Sequence, residues 1–204
     1  MKDKDLDRAV AAEKSIFRYG DNIEKIPNRF KKDKSVLIWL INRSHIILKF
    51  ADESLKKDKS FVIKAVEENF PAFEYVDESL KKDKSFILKL VKLRPDIYGL
   101  LDESLKKDKS IVLEAVKAKG QLLNLVDESF KKDKSIVLEA VKSNGNALEY
   151  ADESLKKDKF IAYSAVQERQ SAIKFVDISI KKEIEEKQLS FFNRRLIANR
   201  KRLK

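Results

Sequence analysis

The chain repeats itself every 25 residues, and that period limits what it can fold into. The stretch DESLKKDKS stands at 52–60, 77–85 and 102–110, and returns with one change each as DESFKKDKS at 127–135 and DESLKKDKF at 152–160. Asp52, Asp77, Asp102, Asp127, Asp152 and Asp177 mark the register. It runs back without a gap through PNRFKKDKSVLIWLINRSHIILKFA at 27–51, with Phe30 where later copies carry Leu55 or Leu80. Units of this length cannot bury an apolar face alone, so they stack on one another. The expected fold is an all-α solenoid of about seven tandem helical-hairpin repeats. Residues 1–26 form an irregular N-terminal repeat or cap, 27–176 the tandem array, and 177–204 a capping helix with a basic tail.

Each position in the unit has a chemical role. Asp58 precedes the apolar-periodic run KSFVIKAVEEN and reads as the N-cap of a helix from Lys59 to near Asn69. The equivalents of this helix stop at Gly120 and Gly145, read as left-handed C-terminal glycines, or at Pro95. A shorter helix is expected over PAFEYV at 71–76, then a single turn capped by Asp52 or its equivalents that drops Leu55 or Leu80 into the core. Val62, Ile87, Val112 and Val137 recur in the core register, as do Val66, Val91, Val116, Val141 and Val166. Ala65, Ala115, Ala140 and Ala165 mark close helix approach, with Leu90 the exception. Tyr75, Leu100, Leu125, Tyr150 and Phe175 read as a second bulky core column.

This wording resembles a known repeat family, the domain of unknown function 4116. Its units share L-K-x-D, V-L-x-A-V-K and N-G-x-A-L-x-Y-A. Leu138, Ala140, Val141, Lys142, Asn144, Gly145, Ala147, Leu148, Tyr150 and Ala151 all fit, whereas KLRPDIYGLL departs from the last segment in the copy at 77–101. The resemblance covers roughly 27–176. It implies an all-helical repeat fold, found mainly in bacteria and large DNA viruses, and no activity.

The residues argue against an enzyme. Cysteine is absent, and glycine numbers only 4, so there is no thiol chemistry and little material for phosphate-cradling loops. The single histidine, His45, falls at a helix C-terminus and reads as a surface residue favoured by the helix dipole. The carboxylates recur in every unit in capping roles, and no cofactor or metal site is expected. The N-terminus lacks the apolar run of a secretory signal, and no stretch approaches the roughly 18 apolar residues of a membrane span. A cytoplasmic location is the expectation.

Charge points in two directions. The formal net charge is +11, but the excess lies at the two ends and 52–176 is almost balanced. KKDK recurs along the array, so Lys56, Lys57, Lys81, Lys82, Lys106, Lys107, Lys131 and Lys132 lie on one edge together with Lys59 and its equivalents. That edge is either a polyanion track or a solvated ladder neutralised by its own acids. The nonapeptide holds equal numbers of acids and lysines, which favours the ladder. No compelling structural reason for Lys56, Lys57 and Lys59 is visible from local pattern alone; either inter-repeat ion pairs or a partner would explain them. Residues 187–204 carry seven basic side chains and no acid. There Arg194, Arg195, Arg200, Lys201, Arg202 and Lys204 are candidate polyanion contacts, on a helix that turns Ile184, Leu189, Phe192 and Leu196 towards one side. Trp39 stands where other copies hold Lys64, Lys89, Glu114, Glu139 or Ser164, and is either covered by the N-terminal segment or an anchor for another protein.

The expected function is therefore a non-catalytic interaction or assembly scaffold with a protein partner. The alternative is a nucleic-acid-associated protein using its basic C-terminal segment and lysine edge. Self-association through the solenoid ends and a structural place in a larger assembly are further expectations.

Overall fold

The computed structural model describes residues 28–187 together with residues 7, 10, 11, 189 and 190. The irregular first repeat and most of the basic tail, Arg194 to Lys204 included, lie outside the described residues. Among the described residues the ordered elements are all helical. The chain divides into two compact units, Met1–Glu114 and Ala115–Lys204. The boundary falls inside the Lys109–Ala118 helix.

In the first unit each repeat has three parts. Asp58 accepts from the backbone N–H groups of Ser60 and Phe61 and starts the ten-residue helix Lys59–Glu68. Phe61, Val62, Ala65 and Val66 fall on one stripe of that helix, and all four are buried. Asn69, in extended backbone, ends it. A 3-10 helix, Phe70–Tyr75, follows with Pro71 at its start and buries Ala72 and Phe73. Val76 brings the chain back to an extended conformation, and Asp77 caps the one-turn helix Glu78–Lys81. The same sequence of parts runs through Lys34–Arg43, His45–Phe50 and Glu53–Lys56, and through Lys84–Leu93, Pro95–Leu100 and Glu103–Lys106.

The second unit repeats the pattern in Gly120–Leu125, Glu128–Lys131, Lys134–Ser143, Gly145–Tyr150, Glu153–Lys156, Lys159–Glu168 and Gln170–Phe175. It ends differently. After Asp177 the helix runs unbroken over 178–187, because Glu183 and Ile184 replace the Asp and Lys that elsewhere end the short turn and begin a new helix. Ile184 is fully buried. Leu189 is exposed, and Phe192 and Leu196 of the expected apolar side lie outside the described residues.

The core is apolar throughout, with no buried polar or charged residue among the described ones. The valine, isoleucine and alanine registers read from the sequence are all in it, as is Leu90. The second column is not. Leu100 is 45% exposed and Leu125 54%, and Tyr75, Tyr150 and Phe175 are half-buried. The buried column lies two residues earlier, at Leu48, Phe73, Tyr98, Leu123 and Leu148. Each 3-10 helix offers only a narrow inward face, and the residue at its end turns to solvent.

Two further expectations are corrected. Leu55 and Leu80 are buried, but Leu105, Phe130 and Leu155 are only half-buried. Gly120 and Gly145 do not supply a left-handed cap. The cap before Gly145 is Asn144, with φ −155°, and the cap before Gly120 is Lys119, with φ −148°. Glycine is used there for close approach. A Cβ on Gly145 would sit 2.2 Å from the Ala165 carbonyl oxygen, and one on Gly120 equally close to that of Ala140. In the first unit His45 and Phe70 occupy the same place, so this contact belongs to the second unit.

Candidate functional site

The nearly constant nonapeptide forms one edge of each unit, and its charges are spent between repeats. The helix-capping aspartates Asp58, Asp83, Asp108 and Asp158 divide their two oxygens. Asp58 Oδ1 accepts from its own helix, through Ser60 N at 2.9 Å and Phe61 N at 3.0 Å, and from the Ser60 hydroxyl at 2.6 Å. Its Oδ2 accepts from Lys34 Nζ of the preceding repeat at 2.5 Å. In the first unit Lys59 reaches Asp83 and Lys84 reaches Asp108 in the same way, both at 2.6 Å. In the second unit Lys134 reaches Asp158 at 2.6 Å. Lys159 meets Glu183 at 2.7 Å, so Glu183 serves as the last rung.

These contacts hold the carboxyls in their charged form. The Lys34 ammonium, then Ser60, holds Asp58 well below the usual carboxylate range, and Lys59 does the same for Asp83. Lys84, then Ser110, lowers Asp108 to about 2. Asp158 is lowered chiefly by Lys134. Glu183 falls to about 2 under Lys159 and Lys187.

Most of the other lysines in these KKDK stretches are also engaged. Lys56, Lys81, Lys106, Lys131 and Lys156 each pair with the glutamate three residues earlier at 2.6–2.9 Å. Their stems lie along the protein surface, with the Lys56 side chain only 14% exposed. Lys32, Lys57, Lys132 and Lys157 approach Asp52, Asp77, Asp152 and Asp177 of the next repeat more loosely, at 3.5–4.0 Å. Lys82 lies beside Asp102 closely enough to help hold its carboxyl below the usual range, behind the larger effect of Ser104. Lys107 is an exposed C-cap of its turn. A backbone bond runs parallel to these pairs: Asp52, Asp77, Asp152 and Asp177 donate N–H to the carbonyls of Lys31, Lys56, Lys131 and Lys156 at 2.9–3.3 Å.

Inter-repeat contacts recur away from this edge. Asn69 Nδ2 donates to the Ile41 carbonyl at 2.9 Å and Arg94 Nη1 to that of Glu67 at 3.0 Å. In the second unit Gly120 N donates to Ser143 Oγ, and Gly145 N to Glu168 Oε2. His45 does not stand free at a helix end: its ring stacks on Tyr75 of the next repeat, 6.1 Å between centroids.

Besides Leu93, Phe160 and Ile178, apolar material stays in view at two kinds of place. One is the end of each 3-10 helix, Tyr75 and Leu100 in the first unit, and Leu125, Tyr150 and Phe175 in the second. The other surrounds Trp39, which is half-buried with the Arg43 guanidinium 4.3 Å from its ring centre. No group of His, Cys, Asp or Glu among the described residues is arranged to hold a metal ion. No helix of the described residues is long and apolar enough to cross a membrane.

The profile of the family described as Domain of unknown function (DUF4116) matches residues 40–81, 58–106, 83–131, 108–156 and 133–181. The chain belongs to this family. Four of the five DUF4116 matches open on a helix-capping aspartate, Asp58, Asp83, Asp108 or Asp133, and step by 25 residues. The match at 58–106 therefore contains both ends of one rung, Lys59 and Asp83. No curated protein and no solved structure matches the chain.

Proposed function

We propose that this DUF4116 chain is a non-catalytic scaffold that binds another protein. The observation that carries this reading is that, in each unit by itself, large apolar side chains at the ends of the 3-10 helices keep part of their surface in solvent, Tyr75 and Leu100 in the first and Leu125, Tyr150 and Phe175 in the second. Leu100 and Leu125 are about half exposed, and flanking positions Glu74, Asn124, Glu149 and Lys174 are polar and exposed. Apolar surface rimmed by polar residues is how protein-binding surfaces are built. The charged edge supports the same reading from the other side, since most of its side chains already have partners within the fold.

The test is affinity capture from the source cells with the full chain, beside a variant carrying Leu125→Ser, Tyr150→Ser and Phe175→Ser. A protein retained by the native chain and lost from the folded variant supports the scaffold. Equal retention, or none by either, contradicts it.

One sequence observation favours a second reading, binding of nucleic acid through residues 187–204 with their seven basic side chains and no acid. A salt-sensitive mobility shift that fails when Arg194, Arg195, Arg200 and Arg202 are changed to Gln would support it. No shift at low salt removes it.

A further inference from the structure

Resting on the scaffold reading, we propose that the outward groove between the Lys34–Arg43 and Lys59–Glu68 helices binds an acidic peptide segment through one apolar anchor residue. The groove has a volume of about 630 Å³. Ile38, Trp39 and Phe61 form its apolar floor, and Lys34, Lys64 and Asn42 stand on its rim. Ten-residue helices run about 15 Å, so the groove accepts a few residues of extended peptide or two to three helical turns.

Two features give the occupant its chemistry. The first is Trp39, the only tryptophan in the chain. The Arg43 guanidinium stands over its ring, and Trp and Arg are among the residues enriched at binding hot spots. The second is Lys64, the Trp39 equivalent one repeat on. It is exposed and, unlike Lys34 and Lys59 on the charged edge, makes no ion pair among the described residues. An apolar floor with a free ammonium beside it matches an apolar residue next to a carboxylate. Glu68 marks the other end of the groove and is held by Asn42 Nδ2 at 2.7 Å. A single free cation over an apolar floor suits a peptide better than a nucleic-acid strand, which needs a run of cations and stacking rings.

The second unit supplies an internal contrast. Between its Lys134–Ser143 and Lys159–Glu168 helices the same positions hold Glu139, Ser164 and Lys142. Lys142 donates to Glu139 at 2.9 Å, and Ser164 to the Phe160 carbonyl at 2.7 Å. Phe160 is exposed at the place of Ser60, but no aromatic stands at the Trp39 position and no free cation at the Lys64 position.

The test selects binders to the full chain from a displayed library of random dodecapeptides. A tryptophan-free winner is then synthesised with a fluorescein label. The expected winners place Asp or Glu next to Leu, Ile or Phe, and their binding shifts the Trp39 emission to the blue. Trp39→Lys and Lys64→Glu, each shown folded by circular dichroism, should each weaken the labelled peptide about tenfold or more, while Glu139→Gln leaves it unchanged. Peptide binding that survives both substitutions overturns the groove and leaves the scaffold reading standing; no selected peptide at all counts against both. The groove proposal also falls if an oligo-dT strand, rather than any peptide, shifts Trp39 emission. It falls equally if the emission shifts with protein concentration alone as light scattering reports a dimer.

Discussion

At the scale of single residues, the helix-capping aspartates explain why so charged a stretch stays constant. One carboxylate satisfies the first turn of its own helix and accepts a lysine from the repeat before, so a change at Asp58 or Lys34 disturbs two repeats. Sequence pattern found the cap, because capping is local. It left the lysines open: Lys59 and its equivalents find their acceptor 24 residues away, where only the fold brings it near, while Lys56 pairs with Glu53 on its own turn. The same locality explains the misplaced core column. Residues two apart on a six-residue 3-10 helix are equally apolar in sequence, and only the bend at the extended caps decides which one points inward. Alanine substitution separates them: Leu123→Ala should cost about 3 kcal/mol in urea unfolding, and Leu125→Ala less than about 0.5. Equal losses would contradict the assignment. Gly145→Ala should cost about 1–3 kcal/mol by forcing the Ala165 carbonyl aside; a gain, as at an ordinary glycine with room for a methyl group, would contradict close approach.

At the scale of elements, the repeat depends on a break that the last unit omits. Elsewhere a lysine and aspartate between turn and long helix stop the first and cap the second. At 181–184 the sequence reads KKEI, and the helix continues over 178–187. Glu183 still takes Lys159, while Ile184 occupies the position of the exposed lysines and is buried. The departure from pattern after Lys182 was legible in the sequence as an ending. That Glu183 keeps the rung was not, because a glutamate reaches further than the aspartate it replaces and register alone does not show reach. Ile184→Lys places an unpaired charge in the core and should lower the thermal midpoint by several degrees. An unchanged midpoint would mean that the C-terminal helix does not seal the second unit.

At the scale of the whole molecule, repeat proteins owe their cooperativity to the interfaces between successive repeats, and here the contacts between repeats within each unit carry charge. The capping carboxyls bind protons less readily folded than unfolded. Their contribution is complete above the unfolded carboxylate range, near pH 4, and is lost as pH falls towards about 2, the value for Asp108. Urea midpoints should therefore hold steady from neutral pH down to about 4 and drop steeply below it, while a midpoint flat through this window would contradict the ladder's role. The register, the core stripe and the family were all readable from a 25-residue period, because stacking makes long-range contacts recur at fixed spacing. The most direct test of the ladder replaces Lys34, Lys59, Lys84, Lys134 and Lys159 together with glutamine and follows urea unfolding at neutral pH and low salt. The account predicts a lower midpoint and a shallower transition, because the repeats uncouple; a midpoint and slope equal to the native chain's would contradict it.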